Sequence, residues 1–126
     1  MSVIQRLDFL GVPSQDADRA RTFYRDVLGM RPDEHGEYEQ WAGGTCFGIW
    51  QPEQQGMQFV PQKGNPWPLG VDDVPAARAE LEAKGVQFFG DTLDTGVCHM
   101  AFFSDPDGNA LMLHHRYAPY SDGSMP

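Results

Sequence analysis

One capped helical unit is written twice in this chain, and that repetition restricts the fold more than any single motif. "DADRARTFYRDVLG" begins at Asp16 and "DVPAARAELEAKG" at Asp73. Asp16 aligns with Asp73, Ala20 with Ala77, Arg21 with Arg78 and Tyr24 with Leu81, and Gly29 meets Gly85 after a slip of about one residue. Ala17, Ala20, Tyr24, Val27 and Leu28 follow the 3.6-residue helical period, as do Val74, Ala77 and Leu81. Asp16 and Asp73 are N-cap residues on this reading, Pro75 is tolerated in a first turn, and Gly29 and Gly85 end the helices at C′. A short strand precedes each helix. β-like runs follow each one: "CFGIW" and "MQFV" after the first, "VQFF", "CHMAFFS" and "ALMLHH" after the second. The order is βαβββ, twice. The polar, proline-rich stretch 51–66 carries the chain between the copies, so module one is expected over about residues 4–60 and module two over about 66–116 of a single domain, with 117–126 as a tail.

The segment "FFSDPDGNALMLHHR", residues 102–116, invites a metal-site reading. A calcium loop needs glycine at its sixth position and glutamate at its twelfth. Counted from Asp105, Gly108 and Arg116 stand in the wrong places. A hairpin suits the residues better. Pro106 presets φ for a type I turn and Gly108 takes the left-handed position that closes a three-residue loop. Asp105 then faces Asn109, Phe102 faces Met112, Met100 faces His114, Ala101 faces Leu113 and His99 faces His115. Side chains alternate along a strand, so His114 and His115 point to opposite faces.

The 126 residues suit one domain with a real core. A net charge of −9 and the lack of any basic run oppose nucleic-acid and anionic-lipid partners. No stretch is long and apolar enough to span a bilayer, and "MSVIQRLDF" lacks a signal-peptide pattern, so a cytoplasmic protein is expected. Cys46 and Cys98 leave room for one disulfide but read as small packed residues in a reducing cytosol. The glycine pair 43–44 reads as a turn, His35 and Glu37 as part of a solvated loop.

"MAFFSDPDGNALML", "DADRARTFYRDVLGM" and "VDDVPAARAELEAKGVQF" resemble the closing hairpin, first helix and second helix of the glyoxalase/bleomycin-resistance/dioxygenase superfamily, the vicinal oxygen chelate proteins. The resemblance runs from about Ile4 to about His115. It implies an α+β fold of two βαβββ modules whose curled mixed sheets form a cleft, and it implies a homodimer. Metal-using members place ligands on the first strand of each module and on the last strand of the second. The matching positions here are Phe9, Pro66 and Met112, and the region of a fourth ligand, residues 44–50, holds no His, Asp or Glu. Phe and Pro bring no side-chain donor, and Met suits only soft ions. A slip of one residue brings Asp8, Trp67 and Leu111 or Leu113, which still make no site.

The resemblance therefore implies a binder of a small apolar or aromatic molecule, with no metal and no cofactor. Its expected ligand-binding residues are Phe9, Trp50, Trp67, Met100, Phe102, Met112 and His114. Rings supply flat contact area, methionines adapt to irregular shapes, and His114 is the titratable group of the wall. Two other classes stay open. One is a superfamily enzyme (a lyase, isomerase or dioxygenase) with a displaced metal site drawn from His35, His99, His114 or His115, or with acid–base chemistry at His114. The other is an interaction module without a small ligand.

Overall fold

The computed structural model describes residues 3–125. The architecture is α+β and consists of two βαβββ modules. The chain divides into two compact units, one ending at Pro61 and the other beginning at Gln62.

In the first unit, strand β1 (Phe9–Pro13) leads into helix α1 (Ala17–Thr22), and strands β2 (Arg31–Pro32), β3 (Glu39–Ala42) and β4 (Thr45–Trp50) follow. Their order across the sheet is β1-β4-β3-β2, with β1 and β4 parallel and the other pairs antiparallel. The Asp16 side chain accepts the Arg19 amide at 3.1 Å and so caps α1. After Thr22 the helix widens into a π turn over Phe23–Val27, where Leu28 N–H donates to the Phe23 carbonyl. Gly29 then takes a φ of +74°, and the Met30 amide reaches back to the Tyr24 carbonyl. The wide turn departs from the expected 3.6 period: Ala17, Ala20 and Tyr24 are buried, but Val27 and Leu28 are only half-buried. The core lies between the helix and one face of the sheet. Val12, Phe47 and Ile49 meet Ala20 and Tyr24 there, with the Tyr24 and Phe47 rings 5.9 Å apart. Gln40 is fully buried, and its Oε1 finds no hydrogen-bond partner among the described residues.

The second unit repeats the plan with β5 (Trp67–Gly70), α2 (Val74–Ala83), β6 (Phe88–Asp94), β7 (Cys98–Ser104) and β8 (Ala110–Arg116), ordered β5-β8-β7-β6. Asp73 caps α2 through the Ala76 amide at 2.9 Å, and Gly85 ends it at a φ of +94°. Val74 and Leu81 from the helix meet Ala101, Phe103, Leu111 and Leu113 from the sheet.

The closing hairpin has the expected register at every pair from Ser104–Ala110 to Cys98–Arg116. Asp105 organises it. One carboxylate oxygen accepts the Asp107 and Asn109 amides at 2.9 Å, the other accepts Asn109 Nδ2 at 2.8 Å, and Gly108 has a φ of +88°. Asn109 Oδ1 also accepts the Gln62 amide at 2.8 Å, which ties the start of the unit to the hairpin.

Two strand expectations are corrected. "MQFV" (57–60) is not a strand; it follows a 3-10 turn at Pro52–Gln55. The central strand pair of that module is β3 with β4, because Gly43 and Gly44 close a two-residue hairpin loop between Ala42 and Thr45. "VQFF" contributes only its two phenylalanines, and β6 runs on to Asp94 through a register shift between Phe89 and Leu93. Arg78 holds that irregular stretch. Its guanidinium donates to the Gly90 carbonyl at 2.9 Å and lies 4.9 Å from the Phe88 ring centre.

Candidate ligand-binding site

Each sheet buries one face under its helix and leaves the other open, and the strand registers sort the residues between faces. In the first unit Phe9 pairs with Cys46, Gly11 with Gly48 and Pro13 with Trp50 on β1 and β4. Trp41 pairs with Cys46 and Glu39 with Gly48 on β3 and β4. In-register partners share a face, so Phe9, Gly11, Glu39, Trp41, Cys46, Gly48 and Trp50 stand together, opposite the core. They line a cavity of about 790 Å³, joined at its edge by Asp8 and Ile49.

Two glycines make the floor of this cavity. A Cβ added at Gly48 would lie 3.7 Å from the Phe9 ring, and one added at Gly11 would lie 3.4 Å from the Trp50 indole nitrogen. The rings thus lie low over backbone that carries no side chain. Phe9 is 62% exposed and Trp50 38%, so both offer ring surface to whatever enters.

The polar groups of the cavity are few. The Cys46 thiol is buried and donates to Glu39 Oε2 at 3.5 Å. Burial first, then the Glu39 carboxylate, pushes its pKa up, so it stands as a neutral thiol and not as a nucleophile at neutral pH. The Trp41 indole donates to Asp33 Oδ1 at 2.9 Å. That bond, followed by the His35 amide, holds the Asp33 carboxyl below its ordinary range. The Arg31 guanidinium lies 5.6 Å from the Trp41 ring centre.

In the second unit Met100 pairs with His114 and Phe102 with Met112. All four are half-buried, whereas the alternating Ala101, Phe103, Leu111 and Leu113 are buried under the helix. His115 pairs with His99 on the helix-side face, away from His114. Phe89 pairs with Phe102 and Leu93 with Met100, so β6 adds two exposed apolar side chains to the open face. A smaller cavity of about 310 Å³ touches Phe89, Phe102 and Pro66.

Of the seven residues expected from sequence, the structure brings Phe9 and Trp50 together in the first unit, and Met100, Phe102, Met112 and His114 together in the second. Trp67 is the exception. Its register partner on β8 is Leu111, which sets its side chain on the helix-side face, while Pro68 shares the open face with Met112. The sequence places Trp41 on or beside a cleft strand but leaves its facing open, and it does not single out Glu39, Cys46, Phe89 or Leu93 for the site. The glycine pair 43–44 held the signal for three of them: a two-residue loop dictates that Trp41 faces Cys46 and Glu39 faces Gly48.

The glyoxalase-like domain family matches residues 9–114. The chain belongs to this family. A glyoxalase family protein from Bacillus anthracis superposes with a TM-score of 0.77 at 21% identity, covering 92% of this chain and 98% of that one, and shows the shared fold. TnmS3, an antibiotic-binding protein from Streptomyces sp. CB03234, is 26% identical with a TM-score of 0.69 and coverage of 92% and 99%. A glyoxalase/bleomycin resistance protein from the same organism is 28% identical with a TM-score of 0.64 and coverage of 87% and 100%. The curated proteins include no match.

Side chains that could hold a metal are few on the open face of either unit. In this glyoxalase-like chain the first sheet offers Glu39 and Cys46, already bonded to each other, with Asp8 at the edge, and the second offers Cys98 and His114. Among the described residues no three His, Cys, Asp or Glu side chains stand close enough to share an ion. No helix among them is long and apolar enough to cross a membrane.

Proposed function

We propose that this glyoxalase-like protein binds and sequesters a small, largely apolar or aromatic molecule without the help of a metal. The observation that carries this reading is the first unit's cavity, where Phe9, Trp41 and Trp50 present rings over a glycine floor in a space large enough for a drug-sized ligand. The apolar open face of the second unit supports it, and Phe102, Met100, Met112 and His114 are the contacts assigned there. The likeness to an antibiotic-binding protein over almost the whole chain points the same way. Sequestration needs enclosure and flat contact, which these residues offer. It needs no nucleophile, and the neutral Cys46 thiol is not one.

In this reading the whole chain works as one domain in the cytoplasm, where two free, buried cysteines suit a reducing medium. It works as a homodimer. Exposed apolar side chains at Val3, Ile4 and Leu7 support pairing with a second copy. A thermal-shift screen of planar and polycyclic compounds tests the function. Ligands that bind the native state raise Tm with concentration, and saturating hits are expected to persist after exhaustive treatment with chelator. Loss of every hit on chelation, with about one equivalent of iron, manganese, nickel or zinc in untagged protein, would replace the binder by a metalloenzyme. A monomer mass by light scattering at tens of micromolar would remove the dimer alone.

A further inference from the structure

The charged side chains that line the first unit's cavity are of one sign, and this bears on the ligand it takes. Among the described residues that line it, the ionisable ones are Asp8, Glu39 and Cys46, with no Lys, Arg or His. Asp8 has a cationic partner, Arg6, at 3.2 Å, on an exposed segment outside the lining. The contact made by the Glu39 carboxylate is the weak one from the Cys46 thiol, and a thiol brings no positive charge to offset it. The remaining wall is ring, glycine and Ile49. Arg31, outside the lining, rests its guanidinium over Trp41 from the neighbouring strand, so Phe9 and Trp50 are the rings left for a ligand.

We propose that the cavity selects ligands in which a planar aromatic body carries a positive charge, with Glu39 as the group that reads the charge. This rests on the cavity's being the binding site and specifies its substrate class. A ring stacked on the exposed faces of Phe9 and Trp50, which themselves cover Gly48 and Gly11, brings a substituent on its edge toward the β3 side, where Glu39 stands in register with Gly48. An ammonium there meets a carboxylate beside apolar surface, where the attraction is stronger than in bulk water. A carboxylate on the same ring meets Glu39 and Asp8 as like charges. The overall charge of −9 favours approach of the same ligands from a distance.

Three probes with one ring system separate shape from charge: 1-pyrenemethylammonium, 1-pyrenemethanol and 1-pyrenecarboxylate. Fluorescence polarisation titrations at about 0.15 M salt screen the long-range field. The ammonium is expected to bind at least tenfold tighter than the carboxylate, with the alcohol between them. Glu39→Gln should narrow that ratio at least threefold, Asp8→Asn less. Trp50→Ala should weaken all three alike. Both acidic side chains are exposed, so their variants should fold, with Tm as the check. Equal affinity for the three probes, or a preference for the carboxylate, overturns the charge selection and leaves the cavity as a binding site. A preference untouched by Glu39→Gln overturns the assignment to Glu39. Failure of all three to bind overturns both this proposal and the cavity reading.

Discussion

Phe9 and Phe47 make a matched pair for separating binding from folding. They lie on neighbouring strands, β1 and β4, but on opposite faces of the same sheet. Phe9 is 62% exposed and Phe47 4%. A phenylalanine side chain offers about 200 Å², so about 120 Å² of Phe9 is open to a ligand. A planar molecule covers about half of that, and at about 25 cal/mol per Å² the contact is worth about 1.5 kcal/mol. Phe9→Ala should therefore weaken 1-pyrenemethylammonium binding about tenfold. Its effect on folding is bounded by the buried remainder, about 80 Å², or at most about 2 kcal/mol, because extended-chain areas overstate burial. Phe47→Ala should cost about 3–5 kcal/mol through the cavity it leaves against Tyr24. Where the Phe47 variant is still folded, its affinity should be nearly unchanged. Urea unfolding supplies the stabilities and polarisation titration the affinities. The reasoning is refuted if Phe9→Ala loses 3 kcal/mol or more of stability, or if it binds the probe as tightly as the parent protein.

His114→Ala and Met112→Ala should lower the affinity of hits from the thermal-shift screen, measured by calorimetry, while His115→Ala should not, since it faces the helix side; the reverse pattern would remove the second unit's open face from the site. Gln40→Leu should raise stability by about 0.5–1 kcal/mol, because the buried Oε1 has no partner among the described residues and Nε2 makes one long bond of 3.5 Å to the Glu37 carbonyl. A loss of stability on urea unfolding would mean that this amide is better satisfied than its contacts show. Asp33 titrates below its ordinary value because the Trp41 indole bonds its charged form. Its contribution is present above the unfolded-state pKa of about 3.9 and is lost as pH falls through the lower folded value. The stability gap between the protein and Asp33→Asn should then be flat above about pH 5 and shrink below about pH 4, followed by tryptophan emission. A gap that widens on acidification would reverse the assignment.

The sequence by itself determined what depends on neighbours along the chain. Asp16 and Asp73 cap their helices because a carboxylate reaches an amide three residues on. Pro106 and Gly108 set the closing hairpin, and strict alternation then carries the facing of Phe102, Met112, His114 and His115 out from the loop. The same logic was available at Gly43-Gly44 and would have brought Trp41 and Glu39 beside Cys46 and Gly48. What only the tertiary structure decided begins where strands pair without a hairpin. β1 meets β4, and β5 meets β8, in parallel across a helix, so their registers depend on how α1 and α2 pack on the sheets, not on a turn. That is why Trp67 lies beside Leu111 rather than Met112. It is also why Phe9 and Trp50, far apart in sequence, come to lie over the same two glycines. The register shift in β6 and the π turn after α1 belong to this class too. At the irregular stretch of β6, Arg78 of α2 bonds the Gly90 carbonyl, and no spacing rule along the chain records such a contact.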